Sequence, residues 1–300
     1  MLLKDPYKVR RSGLGILRVI SDEAIIELLG YFGGKELANI LKLSRALYVF
    51  CNYSDLWRDL TLRTFDGNVD FECTWKDTFS KMTIAIANEN AGGKILSFRP
   101  HKPIKVSNIF CNVLHRSWTC HTCDLQYACP GFYDKCEIPR RDSTTLTTEE
   151  FVDEYESKNK PVIIKNATNE WKSMKLWNSI YLSNKCKKNK FRATSATAPL
   201  AANFSMKEYF QYSSQTKEEA ALYLFDRDFT NIDDLGLDYE VPSYFNPKMA
   251  SHGTDLFHAF GEAKRPDYRW LIAGDIMIYF FLFVFVILDI IIRISFIIIS

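Results

Sequence analysis

Three hundred residues with 47% hydrophobic content fit one large or two ordinary domains, with enough apolar material for a sizeable core. A formal net charge of +2 excludes a nucleic-acid binder driven by bulk charge. The basic run KCKKNK at 185–190 reads as a solvated loop. The opening MLLKDPYKVRRSG has no apolar core of a secretory signal. The eight cysteines therefore read as thiols or metal ligands, and the sequons at Asn52, Asn166 and Asn203 carry no weight.

Helical periodicity starts at Leu14. Ser21-Asp22-Glu23 is an N-cap signal. Behind it, Ile25, Leu28, Leu29 and Phe32 form one apolar stripe. Gly33-Gly34 breaks the helix, and a second carries Leu37, Ile40, Leu41 and Leu43. A third runs through Ala46, Leu47, Val49 and Phe50, and a fourth offers Leu56, Trp57, Leu60 and Leu62. Residues 12–80 thus predict a small helical bundle.

Particular residues go further. Val19-Ile20-Ser21-Asp22-Glu23, then Ile26, Leu28-Leu29, Leu37, Leu41-x-x-Ser44 and Leu56-Trp57-Arg58 resemble an F-box, with Ser21 where that motif usually has proline. With TFDGNVDFECTWKDTF behind it, the stretch resembles the N-terminal half of fungal-type F-box proteins that carry a JmjC domain. The resemblance implies docking to a Skp-type adaptor of a cullin ubiquitin ligase through Leu17, Ile20, Ile25 and Leu29, a helix face laid on a partner groove. The bland alternative packs these residues internally.

Residues 81–142 read as a linker with a cysteine cluster. Cys120 and Cys123 have the spacing of a zinc half-site, and Cys129 and Cys136 are the remaining candidates for a tetrahedral cage. That second pair is wider than the usual two to four intervening residues, so plain thiols are the competing reading. His115 and Cys111 are spare ligand candidates.

From 143 to 274, helix and strand patterns alternate. Thr147 with Glu150 reads as a capping box, and Val162-Ile163-Ile164 as a buried strand. FRAT at 191–194, the FSMKEYFQY helix, AALYLFDRDF and YRWLIAG follow. There is no glycine-rich phosphate loop and no Gly-x-Ser-x-Gly elbow. Alternation alone leaves a parallel α/β sheet and a decorated β-barrel both open. EEFVDEYESKNKPVIIKNAT, FRAT, MKEYFQY, LYLFDRDF, DYEVPSYF and RPDYRWLIAG, in that order, resemble the first half of a JmjC domain of the phosphatidylserine-receptor-like branch of the Fe(II)/2-oxoglutarate oxygenases. That implies a cupin fold, with Fe(II) and 2-oxoglutarate as cofactors of the complete family and a protein substrate.

The family's iron-binding His-x-Asp follows the RPDYRWLIAG strand. None of His101, His115, His121, His252 and His258 begins a His-x-Asp or His-x-Glu. No catalytic or iron-binding residue is therefore assigned. Tyr223 matches a family position on the cofactor-pocket wall; as a lone aromatic on a core strand it reads as packing. An incomplete barrel leaves Val162, Ile164, Leu224, Trp270 and Ile272 short of sheet partners, which predicts a sticky, unstable half-domain.

The chain ends in IMIYFFLFVFVILDIIIRISFIIIS. Its length suits a transmembrane helix, with Asp289 and Arg293 as costly interruptions. The competing reading is translated non-coding sequence. The expected fold is α+β: an F-box helical bundle (12–80), a linker (81–142), the first half of a JmjC/cupin-like domain (143–274) and an apolar C-terminal helix (275–299). The expected function is an F-box adaptor with an incomplete JmjC domain and no metal site. The alternatives are a JmjC protein hydroxylase or demethylase whose catalytic half lies elsewhere, and a tail-anchored membrane protein. Location is cytoplasmic or nuclear by resemblance, or membrane if the tail is genuine.

Overall fold

The computed structural model describes residues 6–90, 96–122, 131, 137–195, 198, 200–216, 218, 220–226, 228–240, 242–245, 269–274, 283–286 and 297–299. In chain order the first helices are α1 (Pro6–Leu14), α2 (Asp22–Leu29), α3 (Gly34–Ile40), α4 (Arg45–Cys51), α5 (Ser54–Thr64), α6 (Trp75–Asn90) and α7 (Asn112–Thr122). The strands are β1 (Arg140–Asp142), β2 (Val162–Lys165), β3 (Phe191–Thr194), β4 (Ala202–Phe204), β5 (Tyr223–Asp226), β6 (Arg269–Ala273), β7 (Phe283–Val286) and β8 (Ile297–Ile299). Short helices at Thr148–Phe151, Lys172–Leu176 and Ser179–Lys185 and a longer one at Met206–Gln215 lie among the strands. The architecture is mixed α+β, as the sequence predicts.

Local chemistry sets the helix starts. The Ser21 hydroxyl accepts from the Ala24 amide at the head of α2, and Ser44 accepts from Leu47 at the head of α4. At Met206–Gln215 a full capping box closes, with Ser205 accepting from the Glu208 amide and Glu208 from the Ser205 amide. The box expected at Thr147 is only half made: Thr147 accepts from the Glu150 amide, but the Glu150 carboxylate takes Arg141 at 2.6 Å instead.

The chain divides into two compact units that cut across the predicted segments. One holds Met1–Cys123, Lys190–Leu224 and Gly274–Phe280. It therefore combines α1–α7 with β3, β4, the Met206–Gln215 helix and the start of β5. β3 pairs antiparallel with β4 (Phe191 opposite Phe204) and with β5 (Ala193 opposite Leu224). Phe191, Ala193, Ala202, Phe204 and Leu224 are buried, as are Tyr209 and Tyr212 of the Met206–Gln215 helix. Phe204 stacks on Tyr212 with centroids 5.4 Å apart, and Phe71 meets Tyr212 edge-on at 5.1 Å. The helical region also grips the sheet by its backbone: Asn203 N donates to Gly67 O at 2.7 Å, and Asn68 bridges Asn203 in parallel. Gly67 sits at φ +72°, and a Cβ there would lie 2.6 Å from Ala201 O.

The other unit holds Asp124–Asn189, Phe225–Ala273 and Phe281–Ser300. β1, β2 and β8 form a parallel sheet, and β6 and β7 pair antiparallel. Val162 and Ile164 pack with Leu146, Phe151 and Tyr155 in one buried cluster. A second group gathers around Asp238, whose Oδ2 accepts from Trp177 Nε1 and Tyr181 OH, both at 2.8 Å. Burial, then the bond and charge of Asp238, push the Tyr181 phenol up to about 12.

Two expectations are corrected. Val162, Ile164 and Leu224 are fully buried rather than left open, because neighbouring helices and strands cover them. Ile272 is half-buried, and the Trp270 side chain lies outside the described residues. The apolar C-terminal helix is also absent among the described residues, where no helix is long and apolar enough to cross a membrane. The described parts of the tail are β7 and β8, paired with β6 and β2. Phe, Val and Ile fit a pleated surface well, and unpaired strand edges attract such segments.

Candidate functional site

Alternation along β3, β4 and β5 separates two faces. The buried one was described above. The other carries Arg192 and Thr194 on β3, Asn203 on β4 and Tyr223 on β5. Register places Arg192 opposite Asn203 and Thr194 opposite Tyr223, so these four side chains share one open face. Tyr223, which as a lone aromatic reads as packing, is 39% exposed here, while its neighbour Leu224 is fully buried. A guanidinium, a hydroxyl, an amide and a phenol on one face can hydrogen-bond a polar or anionic ligand.

Behind that face lies a charged hub that sequence reasoning missed. Glu218 is buried, and its Oε1 accepts from Arg58 Nη1 at 2.8 Å. Its Oε2 accepts from Trp75 Nε1 (2.9 Å), Tyr212 OH (2.6 Å) and Thr216 Oγ1 (3.0 Å). Burial alone would lower the Arg58 pKa, but the carboxylates of Glu218, Asp55 and Asp59 outweigh it and raise it. Burial first, and the Glu218 charge second, raise the Tyr212 phenol. Both keep the protonation states that the bonding requires. No motif signals this hub, since Arg58 and Glu218 are 160 residues apart.

The remaining sequence candidates scatter. Of the proposed docking face, Ile25 and Leu29 are core at 0% and 2% exposure, Leu17 is half-buried and Ile20 is exposed. The amphipathic α2 turns its Ile25–Leu29 stripe inward, so these two residues do not reach a partner. Cys120 lies on α7, while Cys123, Cys129 and Cys136 lie outside the described residues. Cys111 is buried, and burial raises its thiol pKa.

An Fe(II) centre of the oxygenase type needs two imidazoles and a carboxylate with open positions. Among the described residues no group of three or more His, Cys, Asp or Glu is placed to hold a metal. His101 binds Tyr48, and His115 sits on α7 beside Phe110. His252 and His258 lie outside the described residues. The donor set among the described residues does not fit the iron.

Residues 147–260 match the cupin-like domain family. The chain is 30% identical over 271 residues to the arginine-specific demethylase JMJ22 of Arabidopsis thaliana, covering 89% of this chain and 48% of that protein. The chain carries a JmjC/cupin-like domain homologous to JmjC arginine demethylases. It is also 30% identical over 267 residues to the lysine-specific demethylase JMJ21 of the same plant, covering 88% of this chain and 26% of that protein. The bifunctional arginine demethylase and lysyl-hydroxylase psr-1 of Caenorhabditis elegans is 33% identical over 148 residues, 48% of this chain and 35% of that protein. The chain thus spans about half the length of the first relative and a quarter of the second. The two plant matches extend well beyond the cupin-like residues and take in the helical region.

Proposed function

We propose that this chain supplies the helical and leading cupin-like parts of a JmjC-type protein demethylase or hydroxylase acting on arginine or lysine side chains. The observation that supports it is similarity to an arginine demethylase along 89% of the chain. In the complete family Fe(II) and 2-oxoglutarate supply the oxidising chemistry. This chain contributes a pocket wall bearing Tyr223, and the iron ligands come from residues it does not contain. The test is a chimera, with residues 1–274 joined to the part of the Arabidopsis arginine demethylase that follows its equivalent strand. With Fe(II), 2-oxoglutarate and a methylarginine peptide, the chimera releases succinate and formaldehyde, and the unfused chain does not. A folded chimera that consumes no 2-oxoglutarate with methylarginine or methyllysine peptides refutes the proposal.

A second reading rests on a different surface. Ile16 and Val19 are 85% and 77% exposed, and Ile20, Leu28 and Tyr31 are exposed with them. Solvated apolar side chains in such number favour a docking face. A Skp-type adaptor of a cullin ligase is the partner proposed for it, now centred on Ile20 with Ile25 and Leu29 removed. Co-purification with the adaptor, abolished by Ile20→Glu, supports it; no co-purification refutes it.

A further inference from the structure

We infer that Glu218 and Tyr212 are positioning residues for β5, the strand that presents Tyr223 on the open face. The chain of contacts is short. The Glu218 carboxylate accepts the Tyr212 hydroxyl proton at 2.6 Å, which fixes the direction of that O–H. The oxygen is then left to accept from the Leu222 amide, which it does at 2.8 Å. Tyr209 OH donates to the Leu222 carbonyl at 3.3 Å, so both backbone groups of the residue before β5 are held by side chains of one helix. Beyond Leu222, β5 pairs with β3 at Tyr223 and Leu224.

Glu218 is itself fixed from the helical region. Arg58 of α5 and Trp75 of α6 hold its two oxygens, and neither reaches the open face. A core serving stability alone would fill this space with apolar side chains, because burying a charge pair is often no better than hydrophobic replacement. The placement of a carboxylate here sets an O–H direction, which an apolar side chain does not. The link between β5 and a cofactor pocket rests on the JmjC reading; the link between Glu218 and β5 does not.

The experiment is amide hydrogen exchange on the full chain, comparing wild type with Tyr212→Phe, which removes the hydroxyl and keeps the ring. Exchange at Leu222 and across residues 222–226 quickens about tenfold, while the Asp22–Leu29 helix is unchanged. Equal quickening in both regions shows a purely structural role and overturns the inference, as does no change at Leu222. If Tyr212→Phe does not melt cooperatively, Glu218→Gln, which keeps size and loses charge, is read at the same amide by the same criterion. Exchange needs neither metal nor substrate. A chimera that turns over although exchange at Leu222 is unaltered refutes the positioning role alone. Altered exchange with a folded, inactive chimera refutes the demethylase reading alone.

Discussion

Arg58→Met is the sharpest test of how this chain is held together. Arg58 is 1% exposed and binds Glu218 at 2.8 Å, with Asp55 and Asp59 each at 3.2 Å. The two aspartates are a quarter or more exposed and can turn to water, so their loss costs little. Glu218 cannot, since its side chain is 2% exposed. Removing one partner of a buried pair costs about 3–5 kcal/mol, because the remaining charge stays buried. In a chain of this size that lowers Tm by roughly 5–8 °C. Adding Glu218→Leu removes the stranded charge, so the double variant loses less than the sum of the singles. It does not return to wild type: Trp75, Tyr212 and Thr216 each lose an acceptor, at about 1–3 kcal/mol apiece. Thermal melts followed by circular dichroism and tryptophan fluorescence measure both effects. A loss below about 1 kcal/mol for Arg58→Met, or additive singles, would refute the buried-hub reasoning.

Three further outcomes follow from the geometry. Gly67→Ala should destabilise by about 1–3 kcal/mol, since it adds left-handed strain and a backbone clash; a melt within 1 °C of wild type would contradict it. The Tyr48 hydroxyl accepts from the Ile104 amide at 2.8 Å and lies 3.1 Å from His101 Nε2. Burial, then the Lys76 charge, depresses His101, against a smaller opposing pull from Asp77. The unfolded ring therefore binds a proton first, and this contribution to stability, present above about pH 6.5, is lost as pH falls through the lower folded value. An NMR titration of His101 that gives a pKa above 6.5 would sink this reading. Among the described cysteines, Cys73 is exposed while Cys51, Cys111 and Cys186 are buried. Mass-spectrometric mapping of native thiol labelling should find Cys73 modified before those three, whose burial pushes Cys51 and Cys186 up to about 11.

Much of the local structure is legible in the sequence because its causes are local. Ser21 caps α2 and FRAT forms β3 at the residues its pattern marks, while Gly33-Gly34 starts α3 and α2 already ends at Leu29. The failures share one cause, namely partners set by tertiary structure. Thr147-x-x-Glu150 and Ser205-x-x-Glu208 carry the same signature, yet Arg141 captures the Glu150 carboxylate in the first, while in the second Glu208 accepts from both Lys190 and the Ser205 amide and the box closes. The tail is apolar at nearly every position, and periodicity cannot tell a buried helix from a buried strand in such a run. Available edges on β2 and β6 decide in favour of strand. Leu56-Trp57-Arg58 closes the F-box-like pattern, which does not indicate that Trp57 Nε1 donates to Cys51 O and that Arg58 goes to Glu218. Glu218 itself, in the polar run TKEEA, looks like a solvated charge until the fold surrounds it.

The helical region therefore cannot be treated as a docking head on a tether. Its Arg58 and Trp75 hold Glu218, its Gly67 extends the edge of β4, and its Phe71 packs on Tyr212. Each of those contacts ends on the segment that builds the open face bearing Tyr223. This agrees with similarity to plant demethylases that runs through both parts of the chain. It also removes the opposition between the two functional readings. A partner seated on Ile20 would bind the same compact unit that carries β3, β4 and the start of β5. Deleting the helices should then remove the Ile20 surface and disrupt the face bearing Tyr223 together.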